Sequence, residues 1–303
     1  MEQRYCLRRN IVYCFMLCTV FITNKVNGVS RVAAPKPGGF SPSFHYIDAL
    51  SVTDFRNPGE SSLTKTYAIT APGTYTFVQD IGSQAASTVT GIGNQTALFI
   101  NSSNVIVDLG GRTLWQNGST ANINGIEINT NLHNITIKNG HIADFKGYGI
   151  LVNYGCDDIR IQNITVSNCV IAGIGLIGTT TAEQDIRNIV IDNCIISNTV
   201  GKATFDAVGL LINSVSNAYI SDSVFGYCKS LTDDAYGFST NNSSHVTVNN
   251  CIASGNQRET LAAGFYAFNC TSLEFKNCIA QENNATDTAA SESYGFLWTT
   301  QKQ

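Results

Sequence analysis

Carboxylates standing in pairs are the residues of this chain with the most chemistry to offer. Asp157-Asp158 and Asp233-Asp234 are adjacent pairs, while Asp185, Asp192, Asp206 and Asp222 stand alone. Two carboxyl groups held a few ångströms apart can share out the work of a general acid and a base or nucleophile, which is what glycoside cleavage requires. They do so only if the fold brings them to matched positions, so the question passes to the elements that carry them.

Those elements repeat. From about residue 125 onward one pattern returns about every 24 to 34 residues: a Gly-plus-apolar step, then alternating apolar residues, then an Asn. The second half of the unit reads Ile135-Thr-Ile-Lys-Asn139, Ile189-Val-Ile-Asp-Asn193, Ala218-Tyr-Ile-Ser-Asp222, Val246-Thr-Val-Asn-Asn250 and Leu273-Glu-Phe-Lys-Asn277. The first half opens at Gly125, Gly149, Gly175, Gly209, Gly237, Gly264 and Gly295. Alternation with period two marks strands, and the Asn, Gly, Ser and Asp between them are turn formers. A fixed period of this length predicts a solenoid, in which each unit buries its apolar face only against the next. With no room for a helix inside the unit, the coil is expected to be a parallel β-helix.

Parity separates the faces. Ile135/Ile137, Ile189/Ile191, Ala218/Ile220, Val246/Val248 and Leu273/Phe275 are assigned inward, with mostly polar partners between them. On the Gly-led strand the outward ladder is read as Glu127, Leu151, Ile177, Leu211, Ser239, Tyr266 and Leu297, which is largely apolar. An apolar stripe on an outer face asks for something to cover it, so Leu151, Ile177, Leu211 and Tyr266 are the candidate binding residues. One rung fits the pattern twice, at Ile159–Asn163 and at Ile164–Cys169, and spacing leaves both registers open.

Gly73-Thr-Tyr-Thr-Phe, Asn104-Val-Ile-Val-Asp108-Leu-Gly-Gly-Arg112-Thr-Leu114 and the Asn-Cys rungs together resemble the right-handed parallel β-helix repeat proteins of the pectate-lyase-like superfamily. The resemblance spans about residues 66 to 300. It implies an all-β, right-handed, single-stranded solenoid with three sheets per coil. It leaves function open, because that superfamily hosts lyases, hydrolases, epimerases, adhesins and inert spacers. Its enzymes use two or three acids projecting from one sheet, or an acid-held calcium with an Arg or Lys base. Here the motifs Asn-Thr-Asp, Gly-His-Gly, Arg-Ile-Lys and Asp-Pro-His are absent. Asp157, Asp158, Asp233 and Asp234 are the catalytic candidates, but the two pairs fall at different phases and three rungs apart, on the order of 14 Å. Each pair reads more readily as a turn or a solvated edge. Arg160 and Arg187, each in an Asp-Ile-Arg, are expected to make exposed cross-rung ion pairs.

The ends place the protein. Arg4, Arg8 and Arg9 precede the apolar run Ile11–Ile22, which is too short to span a bilayer, and Val26 and Gly28 suit a cleavage site. Residues 1–28 are thus expected to be a signal peptide, 29–65 a linker and N-terminal cap, and 66–303 the β-helix. Phe44–Phe55 has near-helical spacing and is expected to form a short capping helix. No later segment is apolar enough to cross a membrane. Charged residues make up 13% of the chain with a net charge of −4, and without a basic patch nucleic acid is not expected as a partner. Nine Asn-x-Ser/Thr sequons occur in this Asn-rich chain. The final rung, opening at Gly295-Phe-Leu-Trp298, does not close before Gln303; self-association through this open end is one expectation, and covering by the Gln281–Ser293 loop is another.

Seven of the ten cysteines follow Gly28. None is in a Cys-x-x-Cys or Cys/His grouping, so no metal site and no cofactor is expected. Cys194, Cys251 and Cys278 follow the Asn directly, and stacked free thiols are favoured over a Cys251–Cys278 bridge, because parallel Cβ vectors fit the bridge poorly. The sequence favours a secreted or cell-surface β-helix that binds a polysaccharide or a surface protein without catalysis. A polysaccharide lyase or glycoside hydrolase is the alternative.

Overall fold

Each coil of the chain runs through three parallel strand ladders joined by tight corners. A computed structural model describes residues 44–47, 67–83, 95–116, 122–179, 185–201, 206–230, 233–258, 261–285 and 292–299, all within one unit, Pro42–Gln303. Every described element is a strand. The Asn-terminated strands stack from Phe44–Ile47 through His133–Ala143 and Asp157–Ser167 to Thr271–Lys276. The short strands that follow the corner, among them Ile195–Ser197, Val224–Gly226 and Ile252–Ser254, form a second ladder. The Gly-led strands make a separate nine-stranded sheet from Tyr67–Ile69 to Glu292–Thr299.

The expected inward residues are the core. Ile135, Ile137, Ile189, Ile191, Ala218, Ile220, Val246 and Val248 are buried, and Leu273 and Phe275 pack half-buried against them. The twice-fitting rung uses both fits: Ile159 stacks between Ile135 and Ile189, while Thr165 stacks on His141 and Ile195. The two registers are successive ladders of one coil, with Asn163 turning the corner at φ 53°.

Corners explain the Asn usage. Asn139, Asn163, Asn193, Asn250 and Asn277 all hold positive φ, a region Asn tolerates better than most residues. Their carboxamides also bond along the axis: Asn163 donates to Asn139 at 3.2 Å and Asn193 to Asn163 at 2.8 Å. The residue after each corner points inward and must satisfy itself. Ser223 donates to the Ser221 carbonyl at 2.7 Å; Cys194 and Cys251 donate to Asp192 and Asn249 at 3.3 Å. A thiol and a hydroxyl thus fill one structural role. All seven described cysteines are free, six of them buried.

Two expectations need correction. Phe44–Ile47 is a strand pairing in parallel with Gly73–Phe77, not part of a capping helix; an end strand can extend the ladder and needs no helical period. The rest of the Phe44–Phe55 segment, the 1–28 signal peptide and the Pro-rich linker lie outside the described residues. The glycine of the 172–177 strand that stacks with the others is Gly173, not Gly175. A Cβ on Gly173 would come within 2.1 Å of Ile196 Cγ2 and 2.9 Å of the Gly209 carbonyl, a close approach that only glycine permits. Among the described residues no helix is long and apolar enough to cross a membrane.

Candidate functional site

Two rows of outward positions, one just before the glycine and one two residues after it, set much of the outer face of the Gly-led sheet. Just before the glycine stand Tyr148, Ala172, Val208, Tyr236 and Ala263, packed into an apolar cluster outside the main core with Leu211, Tyr266, Tyr294 and Leu297. Two residues after it come Leu151, Gly175, Leu211, Ser239, Tyr266 and Leu297, stacked in register. Gly175 therefore occupies the place given to Ile177, which instead stacks between Asn153 and Asn213. The cause is visible: the Tyr148 ring lies over Gly175, where a Cβ would come within 2.6 Å of it. Of the four candidate binding residues, Leu151 is buried, Ile177 is off the ladder, and Leu211 and Tyr266 share one groove.

That groove is open, about 550 Å³, and crosses the strands ending at Asn213, Asn241 and Phe268. Val208, Leu211, Tyr236 and Tyr266 form its floor, with the Tyr236 and Tyr266 rings stacked at 4.7 Å and 16°. Asn213, Asn241 and Asn242 line one edge and Asp206, Asp233 and Asp234 the other. Ala207 pairs with Ala235, so Asp206 and Asp234, one residue earlier, stand on neighbouring rungs about 4.8 Å apart.

The acids are tied to one another and to the floor. The Asp234 backbone N–H donates to Asp206 Oδ1 at 3.0 Å. Tyr236 donates its hydroxyl to Asp234 Oδ2 at 2.6 Å, and Arg258 bonds Asp234 Oδ1. The Asp233 N–H is held by Ser230 Oγ at 3.0 Å, while Asp233 Oδ2 is buried with no hydrogen-bond partner among the described residues. Lost hydration in this concave edge pushes the Asp206 carboxyl above the usual range, and the charges of Asp234 and Asp233 push the same way against the Asp234 N–H and Arg258. Burial, then the bond to Asp234, raises the Tyr236 phenol.

Asp157 and Asp158 sit on the Asn-terminated face and are not brought to this groove. Asp157 accepts from Asn188 at 2.7 Å. Asp158, at φ 53°, meets Arg160 of its own strand at 3.5 Å, both half-exposed. This ion pair is along the strand and not across rungs. Asp206, read as isolated, is the residue that spacing could have found: Asp206-Ala-Val-Gly209 and Asp234-Ala-Tyr-Gly237 place an acid three residues before the stacking glycine on successive rungs. Among the described residues no His/Cys/Asp/Glu grouping is arranged to hold a metal ion.

Residues 182–300 match the family of the right handed beta helix region. The chain folds as a right-handed parallel β-helix. No curated protein matches it. Among solved structures this β-helix is similar to tailspike protein 2 of an Escherichia coli O157:H7 bacteriophage, at 13% identity and a TM-score of 0.45 over 77% of the chain and 38% of the tailspike. It therefore spans about two fifths of the tailspike's length. It is also similar to the surface protein and adhesin PfbA of Streptococcus pneumoniae, at 13% identity and a TM-score of 0.43 over 85% of the chain and 77% of PfbA. A third is the A-module of the mannuronan C-5 epimerase AlgE4 of Azotobacter vinelandii, at 11% identity and a TM-score of 0.26 over 86% of the chain and 87% of that module.

Proposed function

We propose that this β-helix is an exported protein that binds polysaccharide in the groove of its Gly-led sheet. One observation carries the reading: an apolar, aromatic floor (Val208, Leu211, Tyr236, Tyr266) lies between an edge of carboxylates and an edge of carboxamides. A sugar ring offers C–H faces to an apolar floor and hydroxyls to a polar rim, and an open groove admits an internal stretch of chain. Sites of this kind combine a mostly apolar surface with a few placed polar groups. The basic and apolar run at Arg4–Ile22 supports export.

A second reading has its own support. Asp206 and Asp234 stand on neighbouring rungs, one carboxyl raised in pKa and the other held by a guanidinium and a phenol. Carboxyl groups in unlike settings suit the acid and base of glycoside hydrolysis. A groove lined by acids and aromatics on one sheet moves the balance toward that alternative. A glycan array probed with the mature protein, with oligosaccharide products read from the same samples, separates the readings. Binding without products supports the binding module. Products that disappear in Asp206→Asn and in Asp234→Asn move it to a hydrolase, and the absence of any binding overturns both.

A further inference from the structure

We infer that the groove selects glycan segments carrying a protonated amine and excludes uronate segments. This rests on the reading of the groove as a glycan site and adds the charge of its ligand.

The carboxylate edge is rich in acceptors and poor in donors. Asp234 has both oxygens engaged, by Tyr236 and by Arg258. Among the described residues Asp206 is engaged at Oδ1 alone, by the Asp234 backbone N–H, and it is exposed. Asp233 Oδ2 is buried in the wall with no donor among the described residues. Asp206 lines the groove and is exposed, so its second oxygen is the acceptor a ligand donor can reach. Among the described residues at this edge three carboxylates face one guanidinium, so these groups keep negative charge after Arg258 is counted. An ammonium has three donors and no acceptor, and it complements such an edge. A uronate carboxylate brings only acceptors and a like charge. Hydroxyls can serve either way, and the carboxamides of Asn213, Asn241 and Asn242 on the far edge can do the same, so a neutral sugar is tolerated without being preferred.

Three oligosaccharides of matched length test this by calorimetry at mildly acidic pH: β-1,4-linked glucosamine, its N-acetylated form, and oligogalacturonate. The glucosamine oligomer is expected to bind ~10-fold or more tightly than the N-acetylated one, the size of a charge-assisted hydrogen bond, with a preference that shrinks as salt rises. Oligogalacturonate is expected not to bind. Asp206→Asn with Asp233→Asn should bring the glucosamine oligomer down to the affinity of the N-acetylated form. If the double variant fails to fold, Asp206→Asn alone, at an exposed position, should shrink the preference. Equal affinity for the amine and N-acetyl forms overturns the charge selectivity and leaves the glycan site standing, as does binding of the uronate. Failure of all three to bind overturns the glycan reading together with it.

Discussion

Asp206 shows how one side chain gains meaning from its neighbours. Lost hydration comes first in raising its pKa, followed by the charges of Asp234 and Asp233. A carboxyl raised in the folded state costs stability once ionised. The cost is absent below the ordinary value of 3.8 and grows as pH rises through the folded value. Asp206→Asn is therefore expected to stabilise the protein at neutral pH and to have no such effect in acid below about 3.8. Because the side chain is exposed, the gain should stay below about 1 kcal/mol. Thermal melts of both proteins between pH 3 and 7 check this, and a gain that persists at pH 3 would show that charge is not its source.

The thiols are a second residue-scale case. Burial pushes Cys156 and Cys194 up to about 11 and Cys169, Cys228 and Cys251 up to about 12. Among the described cysteines only Cys278 is not buried, and burial raises its thiol too. Reaction needs access as well as thiolate, so of the described cysteines a neutral-pH alkylating reagent is expected to label Cys278 alone in the native protein. Mass mapping after a short pulse would show this; labelling at Cys194 or Cys251 under native conditions would contradict the corner packing.

At the scale of the element, parity and corners do the work. Val248 is buried in the core while Thr247, one residue back, faces out beside Glu274. Val248→Asp is expected to unfold the rungs around it, since an unpaired buried carboxylate costs several kcal/mol. Thr247→Lys should melt within a few degrees of the parent protein. Gly173→Ala should also lower the melting temperature, because its methyl would meet both Ile196 and the Gly209 carbonyl. Equal tolerance of the two parities in denaturant unfolding would refute the assignment.

These elements were legible for a plain reason. Ile135-Thr-Ile-Lys-Asn139 states its own period, its inward face and its turn. The errors come where one residue belongs to two patterns. Gly173 and Gly175 both precede apolar residues, and only the Tyr148 ring, brought in from the rung below, tells them apart. Phe44–Ile47 has apolar residues whose spacing suits a helix, yet pairing with Gly73–Phe77 decides for a strand. The site was half legible. Asp233, Asp234, Leu211 and Tyr266 were singled out for separate reasons, and it is the stacking of rungs that joins them to Asp206 and Tyr236. That joining depends on loops of unequal length, which shift the rung spacing that sequence must count through.

At the scale of the whole β-helix, two of its outer faces differ in character. The Asn-terminated face carries a depression of about 340 Å³ beside Tyr219, His245 and Asp158. The Gly-led face carries the groove of about 550 Å³ with the stacked tyrosines and the carboxylate edge. The account holds that glycan goes to the second face. Tyr266 is half-buried there and Tyr219 is 43% exposed on the first, so each can be changed to Arg without reaching into the core. The deciding measurement is an affinity comparison of Tyr266→Arg and Tyr219→Arg for the strongest glycan on the array. The account predicts that Tyr266→Arg weakens binding ~10-fold or more, a loss of about 1.4 kcal/mol, while Tyr219→Arg binds as the parent does. Loss confined to Tyr219→Arg would contradict it.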